Sequence, residues 1–157
     1  MEFKFTEENL ARIEKEYAKY PVKKPAIMKM LYIAQEQNGY ISGEVIQEVA
    51  RMLEITEEEV LGVVTFYTMY HQKPHGKYHL QVCTNVSCML RGAYDIYNKI
   101  QNDLGVKNGE VTADMKFSLE EVECMGSCGT APMIAINEDF YENLDVEKTM
   151  QILKELN

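Results

Sequence analysis

The 157-residue chain has four cysteines, and all of them lie between residues 83 and 128. Cys83 and Cys88 enclose four residues, Cys124 and Cys128 enclose three, and thirty-five residues separate the two pairs. Four thiols are too few to staple a secreted scaffold of this length, and thiols that merely fill a core are not gathered into one stretch. The fold must therefore bring two distant loops to a common centre. A thiolate is a soft ligand, and four of them suit Zn²⁺ or an iron–sulfur cluster. Structural zinc favours tighter knuckles, often with two residues between thiols that must both reach one ion at about 2.3 Å. Spacings of four and three fit a wider two-iron cluster better, with two cysteines at each iron. They are not the plant-type ferredoxin pattern, which needs a further cysteine where this chain has Arg91. A thioredoxin-like dithiol enzyme would need two cysteines separated by two residues, and no such pair occurs. On spacing alone, zinc and redox-active or incidental thiols stay open beside the cluster.

Composition narrows the class of partner. Hydrophobic residues make up 46% and charged residues 26%, as in a globular protein with a packed core. Sixteen Lys and Arg stand against twenty-five Asp and Glu, a net charge of -9. That charge repels a phosphate backbone or an anionic membrane surface, so no nucleic-acid partner is expected. The acidity is uneven: residues 1 to 76 hold 9 basic and 12 acidic side chains, and residues 77 to 157 hold 7 and 13. No run of 18 apolar residues occurs, so no membrane insertion is expected. The acidic first turns of Glu2 to Tyr17 do not read as a targeting segment, which suits a cytoplasmic protein, free or peripheral on the cytosolic side of a membrane complex. In a reducing cytosol, clustered thiols bind metal or carry out redox chemistry more often than they form disulfides.

The first half reads as helices. Thr6 caps a first one, with Leu10, Ile13, Tyr17 and Tyr20 at helical spacing until Pro21 and Pro25. Ala26 to Asn38 is a second, with Ile27, Met30, Leu31 and Ala34 on one face and Gly39 as its stop. Ser42 opens a third with Val45, Ile46, Val49 and Leu53 inward. Thr56 and Glu59 form a capping box ahead of Val60, Val63 and Val64. Short amphipathic helices bury their stripes against one another, so residues 1–74 are expected to be a helical bundle. His71 to Gly76 has no periodicity and two breakers, Pro74 and Gly76, and marks the boundary.

The pattern then changes. Lys77 to Cys83 alternates as a strand, residues 89 to 104 return to helical spacing, and Gly105 stops them. Asn108-Gly109 is a turn, Met115 to Val122 is β-like, and Met133 to Ile136 is a compact buried strand. Asn137 to Asp139 turn into a return strand at Phe140 and Tyr141, and Asp145 caps a last helix carrying Val146, Met150, Ile152, Leu153 and Leu156. The order β-α-β-β-β-α over residues 75–157 is that of a small thioredoxin-like sheet, making the whole an α+β or α/β protein. Each cysteine pair then sits at the end of a strand. The segment Cys124-Met125-Gly126-Ser127-Cys128-Gly129-Thr130-Ala131-Pro132 is rich in small residues, which lets backbone N–H groups approach sulfur. Whether the bond before Pro132 is cis is not legible.

The pattern Cys83-x4-Cys88-x3-Gly92, then Cys124-x-Gly126-x-Cys128-x3-Pro132, preceded by Gly62-Val63-Val64-Thr65-Phe66-Tyr67, resembles the thioredoxin-like [2Fe-2S] ferredoxin family found in NADH:quinone oxidoreductase, where it forms the E-type subunit of complex I. That family extends to NAD-dependent hydrogenases, electron-bifurcating ones among them, and to NAD-dependent formate dehydrogenases. The resemblance spans essentially the whole chain, with no departure at the four cysteines. It implies a helical N-terminal domain, residues 1–74, that docks a partner, and a thioredoxin-like domain, residues 75–157, that holds one [2Fe-2S] cluster on Cys83, Cys88, Cys124 and Cys128. It also implies a partner subunit that carries FMN, binds NAD(H) and belongs to a larger oxidoreductase.

The other candidates are weaker. His71, His75 and His79 are spaced by four, but Pro74 and Gly76 break any helix that would align them as ligands, so they read as a solvated linker, with His79 on a strand face. Gly62 to Tyr67 reads either as core or as a docking surface anchored by aromatics. Met89 and Met125 are expected to shield the cluster, and the other methionines and tyrosines to fill core and interface. Glu120, Glu121 and Glu123 are expected to form a solvated strand edge whose charge lowers the potential of the cluster. No nucleophile, base and orienter set stands out, and no glycine-rich phosphate loop opens a helix, so the chain is expected to have no catalytic residue and to bind neither NAD nor flavin itself. The function expected is that of a non-catalytic redox subunit that exchanges single electrons with a flavin. The alternatives are a zinc-stabilised structural or regulatory module and a free ferredoxin.

Overall fold

A computed structural model describes residues 2–156. The chain divides into two compact units, with the division between Pro74 and His75.

The first unit holds helices α1 (Glu7–Tyr17), α2 (Ile27–Asn38), α3 (Gly43–Leu53) and α4 (Glu57–Phe66). Their starts follow from local chemistry. The side chains of Thr6, Ser42 and Thr56 accept the orphan backbone N–H three residues on, and Glu59 returns a bond to the Thr56 amide, closing the capping box. Gly39 stops α2 in the left-handed region at φ 84°. The stripes of the four helices converge: Ile13, Met30, Leu31, Ile33, Val45, Val49, Val60 and Val64 form one core. Two expected members are absent from it. Leu10 and Tyr20 are exposed, because α1 turns Asn9 and Ile13 inward and ends before Tyr20. Buried Asn9 is satisfied, donating from Nδ2 to Gln37 Oε1 at 2.8 Å.

One buried charge stabilises this unit. Glu48, 6% exposed, accepts from Arg51 Nε at 2.7 Å, Arg51 Nη2 at 2.9 Å and Lys4 Nζ at 3.2 Å. Above all Arg51, then Lys4, holds the Glu48 carboxyl below the usual carboxylate range. A folded-state value below the unfolded one adds stability above the unfolded value near 4.5, and that stability disappears as pH falls through the folded value. Glu48→Gln is therefore expected to cost about 1–2 kcal/mol at pH 7 and to flatten the loss of stability between roughly pH 5 and 3. Urea unfolding of wild type and variant across that range checks it, and parallel curves would sink it.

The second unit is a five-stranded mixed sheet in the order β2-β3-β1-β4-β5, formed by β1 (Tyr78–Cys83), β2 (Glu110–Val111), β3 (Phe117–Val122), β4 (Ile134–Ile136) and β5 (Asp139–Tyr141). β1 and β3 are parallel, with Leu80 opposite Leu119 and Cys83 opposite Val122, whereas β4 runs antiparallel to β1 and forms a hairpin with β5. Helices α5 (Val86–Leu90) and α6 (Ala93–Leu104) connect β1 towards β3, and α7 (Val146–Glu155) follows β5. Ile96 and Ile100 of α6 and Leu153 of α7 pack with Leu80, Val82, Leu119, Ile134 and Ile136 of the sheet.

The thioredoxin-like class is observed, with differences inside it. The single helix expected over 89–104 is two, broken where Gly92 adopts φ 92°. The first begins early because Asn85 Oδ1 accepts the Val86 amide, which leaves Leu90 and Met89 outward rather than in the core or over the thiols. β2 is an added strand too short for an alternating pattern. β2 pairs with β3 only at Ser118 and Leu119, so Glu120 and Glu121, half-buried, lie beyond that pairing, and Glu123 is exposed just past the strand. His79 lies on β1, as the strand pattern predicts. It is buried there, with Nδ1 2.8 Å from Ser118 Oγ and Nε2 2.9 Å from Glu120 Oε2.

Candidate metal centre

The four cysteines come from four different local structures. Cys83 ends β1, Cys88 lies within α5, Cys124 follows β3, and Cys128 opens a single 3₁₀ turn over Cys128–Thr130. Each pair begins at a strand end, as the sequence pattern predicts, with Cys83 closing β1 and Cys124 just past β3, whereas Cys128 lies farther on in the 3₁₀ turn. The Asn85 cap carries Cys88 into its helix.

Cys83 and Cys88 are buried and share a small apolar cluster with Ala93, Ala131 and Met133, against which Val122 and Met125 pack. Cys124 and Cys128 are exposed, and all four thiols are free of disulfides. Burial first, then a hydrogen bond with Cys83, pushes the Cys88 thiol up to about 11, and the charges of Cys83 and Cys128 add to this while the Met133 backbone opposes it. Cys88 therefore lies within electrostatic reach of both Cys83 and Cys128. Cys83 Sγ in turn donates to the carbonyl of Glu123, the residue before Cys124, at 3.5 Å. Of the expected shields, Met125 packs against the thiol cluster and Met89 faces outward.

The second loop is open. A Cβ built on Gly126 or Gly129 would meet nothing within 4 Å, and Gly126 turns the chain at φ 83°. The Ala131–Pro132 bond is cis. Among the described residues no three His, Cys, Asp or Glu side chains surround one point as a single ion would require. A two-iron cluster takes four thiolates, two at each iron. The donor set, four soft thiols with space beside the loop that carries two of them, fits such a cluster. Its loading exchanges thiol protons for metal–sulfur bonds.

A parallel β1–β3 core extended by the β4–β5 hairpin, with the helices α5 to α7 beside it, defines a thioredoxin-like protein. The chain belongs to the thioredoxin-like [2Fe-2S] ferredoxin family, whose profile matches residues 13–157. The cofactor of that family is a [2Fe-2S] cluster. The chain is 46% identical to the E-type subunit of NADH-quinone oxidoreductase from Rickettsia bellii (strain RML369-C), a match covering 98% of this chain and 94% of that one. It is 41% identical to an E-type subunit of NADH-quinone oxidoreductase from Rhizobium meliloti (strain 1021), over 90% of this chain and 84% of the other. These relatives are subunits of an oxidoreductase complex. An NAD⁺-reducing [NiFe]-hydrogenase in its air-oxidized state superposes with a TM-score of 0.73 at 18% identity, covering 83% of this chain and 22% of the hydrogenase chain. That likeness is one of fold. Among the described residues no helix is long and apolar enough to cross a membrane.

Proposed function

We propose that the chain is an electron-transfer subunit in which Cys83, Cys88, Cys124 and Cys128 hold one [2Fe-2S] cluster that exchanges single electrons with the flavin of a partner NAD(H)-oxidising subunit. The observation that carries the reading is the convergence of Cys83 and Cys88 in one apolar pocket. Such a cluster accepts and releases one electron at a time. The residues of this chain supply the rest. Val122, Met125 and Met133 keep water from the buried pair, while exposed Cys124 and Cys128 give an electron donor its approach. These roles ask for no acid or base from the chain.

The helical unit, residues 1–74, is the docking part. Val60 and Val64 of α4 are core, yet Leu61, Phe66, Tyr67 and Met69 on and just past this helix are exposed, Phe66 to 77%. Exposed aromatics of this kind anchor protein interfaces. The parent assembly is an NADH:quinone oxidoreductase or an NAD-dependent hydrogenase or formate dehydrogenase, and the chain works in the cytoplasm as a peripheral part of it. FMN and NAD(H) are held by the partner.

Full-length protein purified anaerobically is expected to contain about two iron atoms and two acid-labile sulfides per chain and to become EPR-active on reduction. It is expected to co-purify with a flavoprotein. One zinc and no sulfide would overturn the reading.

A further inference from the structure

Each cysteine pair lies beside a glutamate that takes hydroxyl hydrogen bonds from its loop. Glu121, on β3, accepts from Thr84 Oγ1 at 2.9 Å and from Tyr94 Oη at 2.9 Å, both on Oε1. Thr84 directly follows Cys83, and Tyr94 stands in the first turn of α6, beyond the Gly92 break. One carboxylate oxygen thus ties the start of the Cys83–Cys88 loop and the helix that follows it to β3. The Thr84 amide reinforces this by donating to the Val122 carbonyl at 3.1 Å, and the amide of Glu121 is itself held by Asn108 Oδ1 at 2.8 Å.

The second loop has the same device from another strand. Glu142, just past β5, accepts from Thr130 Oγ1 at 2.6 Å. Thr130, at the end of the turn that begins with Cys128, also takes the Asn143 amide on its carbonyl at 2.7 Å. The Thr130 hydroxyl, then that of Ser127, holds the Glu142 carboxyl below the ordinary carboxylate range, so the residues on both sides of Cys128 bear on it.

We propose that Glu121 and Glu142 are positioning residues, one for each cysteine pair, which hold the two loops in ligand-ready shape and so slow the loss of the cluster. The need is physical. Gly126 and Gly129 leave the second loop in open space, and Cys88 sits in a helix of only five residues. Without anchors, gathering four thiolates from four separate local structures costs chain entropy each time the site closes. Partners outside the ligand set commonly change metal affinity by about 10–100-fold when removed.

The inference rests on the four cysteines being the ligands, and the test separates the two. Full-length protein is loaded with iron and sulfide, and the decay of its visible absorbance is followed under excess iron chelator. Glu121→Ala and Glu142→Ala are expected to lose the cluster about tenfold faster than wild type. Glu121→Gln and Glu142→Gln keep an acceptor oxygen and are expected to stay within about twofold, a rescue that general loosening of the fold would not produce. Thr84→Val and Thr130→Val, which remove the donors with little change in volume, are expected to match the alanine variants and serve where those fail to fold. Wild-type decay rates in the alanine and valine variants, or glutamine variants as fast as alanine, would overturn the clamps. Wild-type protein that takes up no cluster would overturn the ligand set, and the clamps with it.

Discussion

Replacing Cys88 with alanine is expected to leave the purified chain colourless, with iron and sulfide falling from about two each to below roughly a tenth of that, as expected when a ligand thiolate is lost. Cys88 is the informative choice for three reasons. It is 2% exposed, so no outside ligand can take its place cheaply. It lies buried within α5, unlike exposed Cys124 and Cys128. Alanine is close to cysteine in size and offers no ligand atom, whereas serine would leave an oxygen that can still bind iron. The apoprotein of the variant is expected to keep its far-UV circular dichroism, because the pocket formed by Ala93, Ala131 and Met133 loses only a sulfur atom. Met89→Ala is the matching control: one residue away and exposed, it is expected to retain full colour. Iron and sulfide analysis decides the matter, and a Cys88→Ala protein with a full complement would remove Cys88 from the ligand set.

The second large effect is at Gly76. An added Cβ would lie 2.7 Å from Ser118 N and 2.8 Å from Phe117 Cα, with the Phe117 carbonyl carbon closer still. All of these are backbone atoms of β3, a strand paired on both sides, so they cannot yield as a flexible side chain does. Gly76 is also held from its own amide, which donates to Ser118 Oγ at 3.1 Å. Gly76→Ala is therefore expected to destabilise the unit by on the order of 3 kcal/mol, the upper range for overpacking. Gly62→Ala gives the contrast. Gly62 lies within α4 with nothing within 4 Å of its added Cβ, and alanine is expected to stabilise that helix by about 1 kcal/mol. Denaturant unfolding of the three full-length proteins checks both, and a Gly76→Ala chain within about half a kcal/mol of wild type would refute the close packing.

These glycines mark where a sequence speaks for its own structure and where it falls silent. Gly39 and Gly105 are legible as helix stops because a C-cap is decided by backbone torsions within one turn, and both adopt positive φ. The Thr56–Glu59 capping box is legible for the same reason, since donor and acceptor lie three residues apart. Gly76 reads as an exposed breaker because its neighbours, Phe117 and Ser118, are some forty residues away. The break at Gly92 is hidden because the apolar spacing from Leu90 to Leu104 continues across it, although the backbone does not. His79 reads as a strand-face residue and Glu120 as a solvated acid, and the lateral pairing of β1 with β3 makes them partners.

The sequence by itself determined the number and softness of the candidate donors, the starts of the capped helices, the βαβ-then-hairpin order and the family. Those properties reside in residue identity or in interactions that span a few residues. Only the tertiary structure decided that Cys83 and Cys88 share a buried apolar pocket while Cys124 and Cys128 face solvent, and that Glu121 and Glu142 accept hydroxyl bonds from the loops that carry the cysteines. It decided this because burial and strand neighbours are set by which segments the sheet brings side by side, and a parallel pairing such as β1 with β3 joins residues nearly forty positions apart.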